Sequence, residues 1–257
     1  MSLILLDTVL LKETKNWLAS LTTPPRNDVV KAINSFIKTC KNDGNWSLLD
    51  RFYLFAQDNQ TNAKISIANP TSTACTEVNS PTWTSMQGYT GKGSNMSVNT
   101  NYNTSTNGVN FVQDSGSMGV YNRSNTAENK DDMGNLSATT TNAVRSRQAA
   151  GAQTGAINQA SSLSIAQTDA LGFNVSVRTG AAACALWKNG TQVQTGSNAS
   201  VTVPSFNIFI LALNNVGTAA NFSSKQIAIA FIGSGSINQL SFYNANQTLA
   251  TSLGFNV

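Results

Sequence analysis

The segment "ALWKNGTQVQTG" (residues 185–196) alternates apolar and polar side chains, breaks at Asn189-Gly190 and resumes the alternation. Asn-Gly takes the two left-handed conformations of a type I′ turn, whose twist matches paired antiparallel strands. It stands between Leu186-Trp187 and Val193, so the segment predicts a β-hairpin. Upstream, "FNVSVRTG" (173–180) sets Phe173, Val175 and Val177 against Asn174, Ser176 and Arg178. That pattern predicts a strand with one buried and one wet face. Downstream, Phe206–Leu213 and Ile227–Ile232 are apolar enough for buried strands. From about Gly172 to Gly233 the chain reads strand, turn, strand, with no helix-length pattern between.

Working outward, 257 residues can bury a substantial core without disulfides. Only 11% of residues are charged, well below the usual quarter, and Asn, Ser, Thr and Gln supply the polarity. Such a neutral, hydrogen-bonding surface is typical of extracellular or particle-borne β-proteins. The net charge of +4 is spread out, with no stripe fit for nucleic acid. Cys40, Cys75 and Cys184 lack CxxC spacing and are odd in number, which argues against zinc and a disulfide framework and for buried free thiols. The amino-terminal "MSLILLDTVLLKETKNWLASL" has neither the basic start nor the small-residue cleavage site of a signal peptide. No segment reaches the roughly twenty apolar residues of a membrane span, so membrane insertion is not expected.

Two regions follow. Residues 1–57 predict a helical attachment or packing segment. After Pro24-Pro25, with Asn27 or Asp28 as N-cap, a helix over 27–42 carries Val29, Val30, Ile33, Phe36, Ile37 and Cys40 on one stripe and stops by Gly44. The stretch "SLLDRFYLFAQ" (47–57) suits a short helix or turn, or a strand in "RFYLFA". Residues 58–257 predict a β-sandwich, with short strands in "AKISIANP", "TWTSMQGYTGKGSNMSVNT", "GSMGVYNRS" and "SATTTNAVRSRQAAGAQTGAINQASS", and a polar loop over 125–135. A short closing helix carries Leu240, Tyr243 and Gln247 on one stripe and ends at Gly254. Many short strands and this length predict a mainly β fold, a two-sheet antiparallel jelly-roll sandwich.

"CALWKNGTQVQTG" resembles the strand–turn–strand of laminin G-like and concanavalin A-like domains, which carry an aromatic-x-Asn-Gly turn. "NWSLLDRFYLFA", "VNSPTWTSMQGYTGKGSN", "GSMGVYNRS" and "KQIAIAFIGSGSINQLSFYNANQTLATSLG" resemble, in that order, segments of tailed-phage virion proteins. The resemblance covers nearly the whole chain. It implies a structural component of a virion: a head-fibre, decoration or tail-associated protein. Such a protein is made in the host cytoplasm without a signal peptide and works by assembly with other virion proteins, as a homo-oligomer.

The chain has no histidine, which removes Ser-His-Asp and Cys-His systems and the common zinc sites. A glycosidase needs two positioned carboxylates, and Glu77, Asp114, Glu128, Asp131, Asp132 and Asp169 all read as loop residues, so no enzyme is expected. "KDDMGN" (130–135) falls short of the six or so oxygens calcium needs, and no cofactor is expected. "GYTGKGSN" (88–95) lacks P-loop spacing and reads as turns. Trp83, Tyr89, Tyr102, Tyr121, Trp187 and Tyr243 read as core aromatics. The competing reading is a carbohydrate-binding adhesin for host surface glycans, which requires exposed aromatics beside Asn or Asp. Inter-subunit contacts are expected from Leu3, Ile4, Leu5, Leu6, Val9, Leu10 and Trp17, an apolar set unusual on a monomer surface.

Overall fold

The computed structural model describes residues 10–257. Leu3, Ile4, Leu5, Leu6 and Val9 lie outside the described residues. The helices are α1 (Lys12–Ala19), α2 (Asn27–Asn42), α3 (Gln60–Ala63), α4 (Thr104–Asn107) and α5 (Gln239–Leu253). The strands in chain order are β1 (Leu49–Leu54), β2 (Thr76–Val78), β3 (Thr82–Thr84), β4 (Gly88–Thr90), β5 (Ser97–Asn103) and β6 (Gly116–Asn122). There follow β7 (Met133–Leu136), β8 (Thr141–Arg145), β9 (Ala152–Gln159), β10 (Leu163–Ala166), β11 (Gly172–Gly180) and β12 (Ala183–Lys188). The last are β13 (Thr191–Gly196), β14 (Asn207–Ile210), β15 (Leu213–Asn215), β16 (Thr218–Ala220) and β17 (Gln226–Gly233).

One sheet runs β13-β12-β11-β6-β17-β4-β3, with β1 also on β17; the other runs β10-β9-β8-β7-β14-β5-β2, with β15 beside β7 and β16 beside β15. All pairings are antiparallel except β15 with β7. The predicted hairpin is present as β12–β13, with Asn189 at φ 49° and Gly190 at φ 75°, the pair of left-handed residues a type I′ turn requires.

The sandwich carries a third layer. The stripe on α2 is buried, and with α5's Phe242, Ala245, Leu249 and Leu253 it covers the outer face of the first sheet through Phe52, Leu54, Phe173, Val175, Ile229 and Phe231. Phe36 stacks on Phe52 at 4.5 Å, and Phe231 meets Phe242 at 4.9 Å. Between the sheets lies a second core of Tyr53, Phe55, Met118, Val120, Ile208, Ile210, Ile227 and Ile232. Burying alternate residues of one strand in two cores is why β1 is apolar from Phe52 to Leu54 and β17 from Ile227 to Ile232.

Several expectations change. Trp17, expected at an inter-subunit contact, is fully buried in its own chain's helical core; Leu10 of the same set is half-buried, which leaves part of it open to contact. The "RFYLFA" stretch is strand β1, paired with β17, so the first sheet draws residues 49–54 from the stretch assigned to the N-terminal segment. Helix α2 starts after Arg26 with no side-chain cap. "AKISIANP" forms no strand, because α3 ends there and a turn follows. The wet face expected for β11 is buried: Asn174, Ser176 and Arg178 point at the second sheet. On α5, Leu240 is 54% exposed, and the buried stripe is instead Phe242, Ala245, Asn246, Leu249, Ala250 and Leu253. The three cysteines are free and buried, and burial pushes the Cys75 thiol up to about 12.

Candidate ligand-binding groove

The helical layer covers β1, β17, β6 and β11 and reaches Trp187 and the turn of the hairpin, but leaves Ala183, Gln192 and Thr195 of the hairpin exposed. Across β11, β12 and β13 the register sets Val177 beside Ala185 beside Thr195, and Val175 beside Trp187 beside Gln192. Gln192 and Thr195 are three apart, an odd spacing that a regular strand would send to opposite faces. A bulge in β13, where the pairing slips between Leu186 and Trp187, puts both on the face of Trp187. Val193, the extra residue, packs instead toward Leu163, Cys184 and Leu186.

An open groove of about 450 Å³ results. Val177, Ala183 and Ala185 form its floor, and Trp187, Gln192 and Thr195 its sheet side. Ile237, Asn238 and Gln239, at the start of α5, form the facing side. The small alanines leave the trough empty. The sides are locked together, because the hairpin turn sits on α5: a Cβ on Gly190 would meet Tyr243 Cδ1 at 2.8 Å and Leu240 Cδ1 at 3.1 Å.

The groove's polar groups are neutral. Trp187 is half-buried, and its indole N–H has no partner among the described residues. Gln192 and Thr195 are exposed and their side chains are also unbonded. Asn238 Oδ1 accepts the Ser241 N–H (3.1 Å) and so caps α5. Gln239 Nε2 donates to Ile237 O (3.2 Å), while its buried Oε1 has no partner. Such a site can stack an apolar ring face on an indole and bond hydroxyls around it. The cations of the two inner strands point the other way. Arg178 gives its guanidinium to the oxygens of Ile157, Gly180, Ala181, Gln159 and Asn198. Lys188 Nζ donates to Leu171 O, and burial lowers its pKa to about 8.

The carboxylates weighed from sequence do not converge here. Asp131 and Asp132, expected in a polar loop, are buried where β7 begins. Asp132 Oδ1 meets Lys225 Nζ at 2.9 Å, and its Oδ2 accepts the Ser146 N–H and O–H. Asp131 pairs with Arg145 at 2.6 Å; burial raises its pKa and Arg145 opposes the rise. Glu128 bonds Ser223 and Ser224, while Glu77, on β2, accepts from Tyr89 and Gln60. Asp114 accepts from Ser200, and Asp169 from the Leu171 N–H. These acids hold the fold together. Among the described residues no three His, Cys, Asp or Glu side chains cluster as metal ligands. No described helix is long and apolar enough to cross a membrane. Of the aromatics, Tyr89, Tyr102 and Tyr121 are core, whereas Trp83, Trp187 and Tyr243 are half-buried. Trp187, read as a core aromatic beside a turn, packs one side against the helical core and keeps the other in the groove.

No protein-family model matches the chain, and no curated protein does. Solved structures do. The botulinum neurotoxin serotype D binding domain is 11% identical with a TM-score of 0.51, over 77% of this chain and 53% of that one. The receptor binding domain of botulinum neurotoxin C/D mosaic serotype is 10% identical with a TM-score of 0.50, over 74% and 47%. A mutant of Trypanosoma rangeli sialidase displaying trans-sialidase activity is 10% identical with a TM-score of 0.52, over 86% and 39%. The chain thus spans about half or less of each, and at these identities the likeness is one of fold. The protein is a mainly β, jelly-roll-like sandwich of two antiparallel sheets, with a few helices including one at its carboxyl end.

Proposed function

We propose that the protein is a non-catalytic binding module that recognises glycans, and that the Trp187 groove is its site. The observation that carries the reading is a half-exposed indole with a free N–H, set in an open groove among unbonded amide and hydroxyl side chains. Sugars offer that chemistry in return: apolar ring faces ringed by hydroxyls. The resemblance in fold to toxin binding domains agrees with a binding role. Assembly in a virion keeps the sequence resemblance as its support. Of the apolar residues assigned to inter-subunit contacts, Trp17 is covered by its own chain. Glycan recognition is therefore preferred, on a free or a particle-borne module. A glycan array with the full chain and with Trp187→Ala tests this. The expected result is a defined set of bound glycans, weakened about tenfold or more (about 1.4 kcal/mol) in the variant. Binding unchanged in Trp187→Ala would remove the groove from the function.

A further inference from the structure

We infer that the groove selects uncharged oligosaccharides and rejects acidic ones; this rests on the glycan-binding reading above. None of the side chains lining the groove carries charge. The only cations on its two inner strands, Arg178 and Lys188, are buried on the opposite face. Both are committed there, Arg178 to five oxygens and Lys188 to the Leu171 carbonyl. Neither can turn toward the groove without breaking bonds to the second sheet or the loop before β11. At the amino end of α5, the Asn238 side chain already takes the Ser241 N–H, so fewer backbone donors are left there for an anion. A sugar carboxylate seated on Trp187 would therefore lose water and gain no cation, a penalty a hydroxyl in the same place avoids. Donors at the groove such as the Trp187 N–H and the Gln192 and Thr195 side chains suit neutral hydroxyl and acetamido groups.

The test is a titration of the full chain, followed by the NMR signal of the Trp187 indole N–H. One panel holds chito-, cello- and malto-tetraose; the other holds sialyllactose and tetragalacturonate. Support is a shift of the indole signal by at least one uncharged sugar, with Kd at least about tenfold below that of either acidic one. Thr195 is exposed at the groove's edge, so Thr195→Lys should fold and narrow that ratio by bringing a cation to the site. An acidic sugar that moves the indole signal as tightly as the uncharged ones overturns the inference and leaves glycan binding standing. A panel in which no sugar of either kind moves it overturns the glycan-binding reading itself.

Discussion

Strands β17 and β11 lie in the same sheet, one strand apart, and both are buried on two faces, yet their sequences solve the burial differently. In β17, Ile229 and Phe231 meet the helices while Ile227, Ala230 and Ile232 meet the second sheet. In β11, Phe173, Val175 and Val177 meet the helices, but Asn174, Ser176 and Arg178 face the second sheet. Ser176 Oγ donates to Ala143 O at 2.8 Å, and Arg178 Nε to Ile157 O at 2.7 Å. One end of the sandwich is joined by apolar packing and the other by directed hydrogen bonds. Apolar packing is adaptable; a buried polar seam tolerates only partners in place. The groove sits over the polar end, where a fixed hairpin is of most use.

Truncation at the apolar end should have the largest effect. Phe231→Ala removes a ring that stacks on Phe173 and meets Phe242, and should cost about 4 kcal/mol in urea unfolding. At the polar end, Arg178→Met keeps the volume but strands buried acceptors, and about 3 kcal/mol is expected. A loss under about 1 kcal/mol there would mean the seam is not a seam, and would collapse the contrast between the two strands. Gly190→Val tests the hairpin over that seam. Strain at φ 75° and the collision with Tyr243 should together cost about 2 kcal/mol, with thermal denaturation as the readout.

The smallest expected effect is a pH dependence. Burial lowers the Lys188 pKa to about 8 in the folded chain, below its ordinary 10.5. Below about pH 8 the group is charged in both states and the folded chain bears the full penalty of burying it. Between about 8 and 10.5 only the unfolded chain holds the proton, so this group's penalty fades as pH rises. Lys188→Met should be more stable than the parent at pH 7, by about 1 kcal/mol after loss of the bond to Leu171 O. That margin should shrink toward pH 10.5. A margin independent of pH would show that Lys188 is not penalised by burial.

What could be read from the sequence followed local rules. Asn189-Gly190 encodes its own turn, the α2 stripe its own buried face, and Gly254 the end of α5 at φ 76°. What could not be read depends on distant partners. The alternation in β11 is the same whether its polar face meets water or Ala143 and Ile157. Asp132 reads as a loop acid until Lys225, 93 residues later, is brought to it. The groove needed three such facts together. A bulge shifts β13, the helical layer reaches the hairpin turn but not Ala183 or Thr195, and α5 begins opposite Trp187. Period-2 counting misassigns Gln192 and Thr195 for the same reason, since one extra residue reverses every side chain beyond it.

The place of β17 in its sheet has a consequence for how the chain comes to be folded. It is the last strand in sequence, yet β6, β1 and β4 all pair with it. During synthesis, "RFYLFA" and the β17-facing edge of β6 must wait for more than a hundred further residues to emerge, although β11 can pair with the other edge of β6 sooner. Non-local closure of this kind slows folding and lengthens exposure to wrong partners. The second sheet, joined through the successive hairpins of β7, β8, β9 and β10, can form meanwhile. A nascent chain stalled before Gln226 should thus hold the second sheet and the β6-β11-β12-β13 half of the first, but leave β1, β3 and β4 unjoined to them, which makes β17 the strand that closes the first sheet.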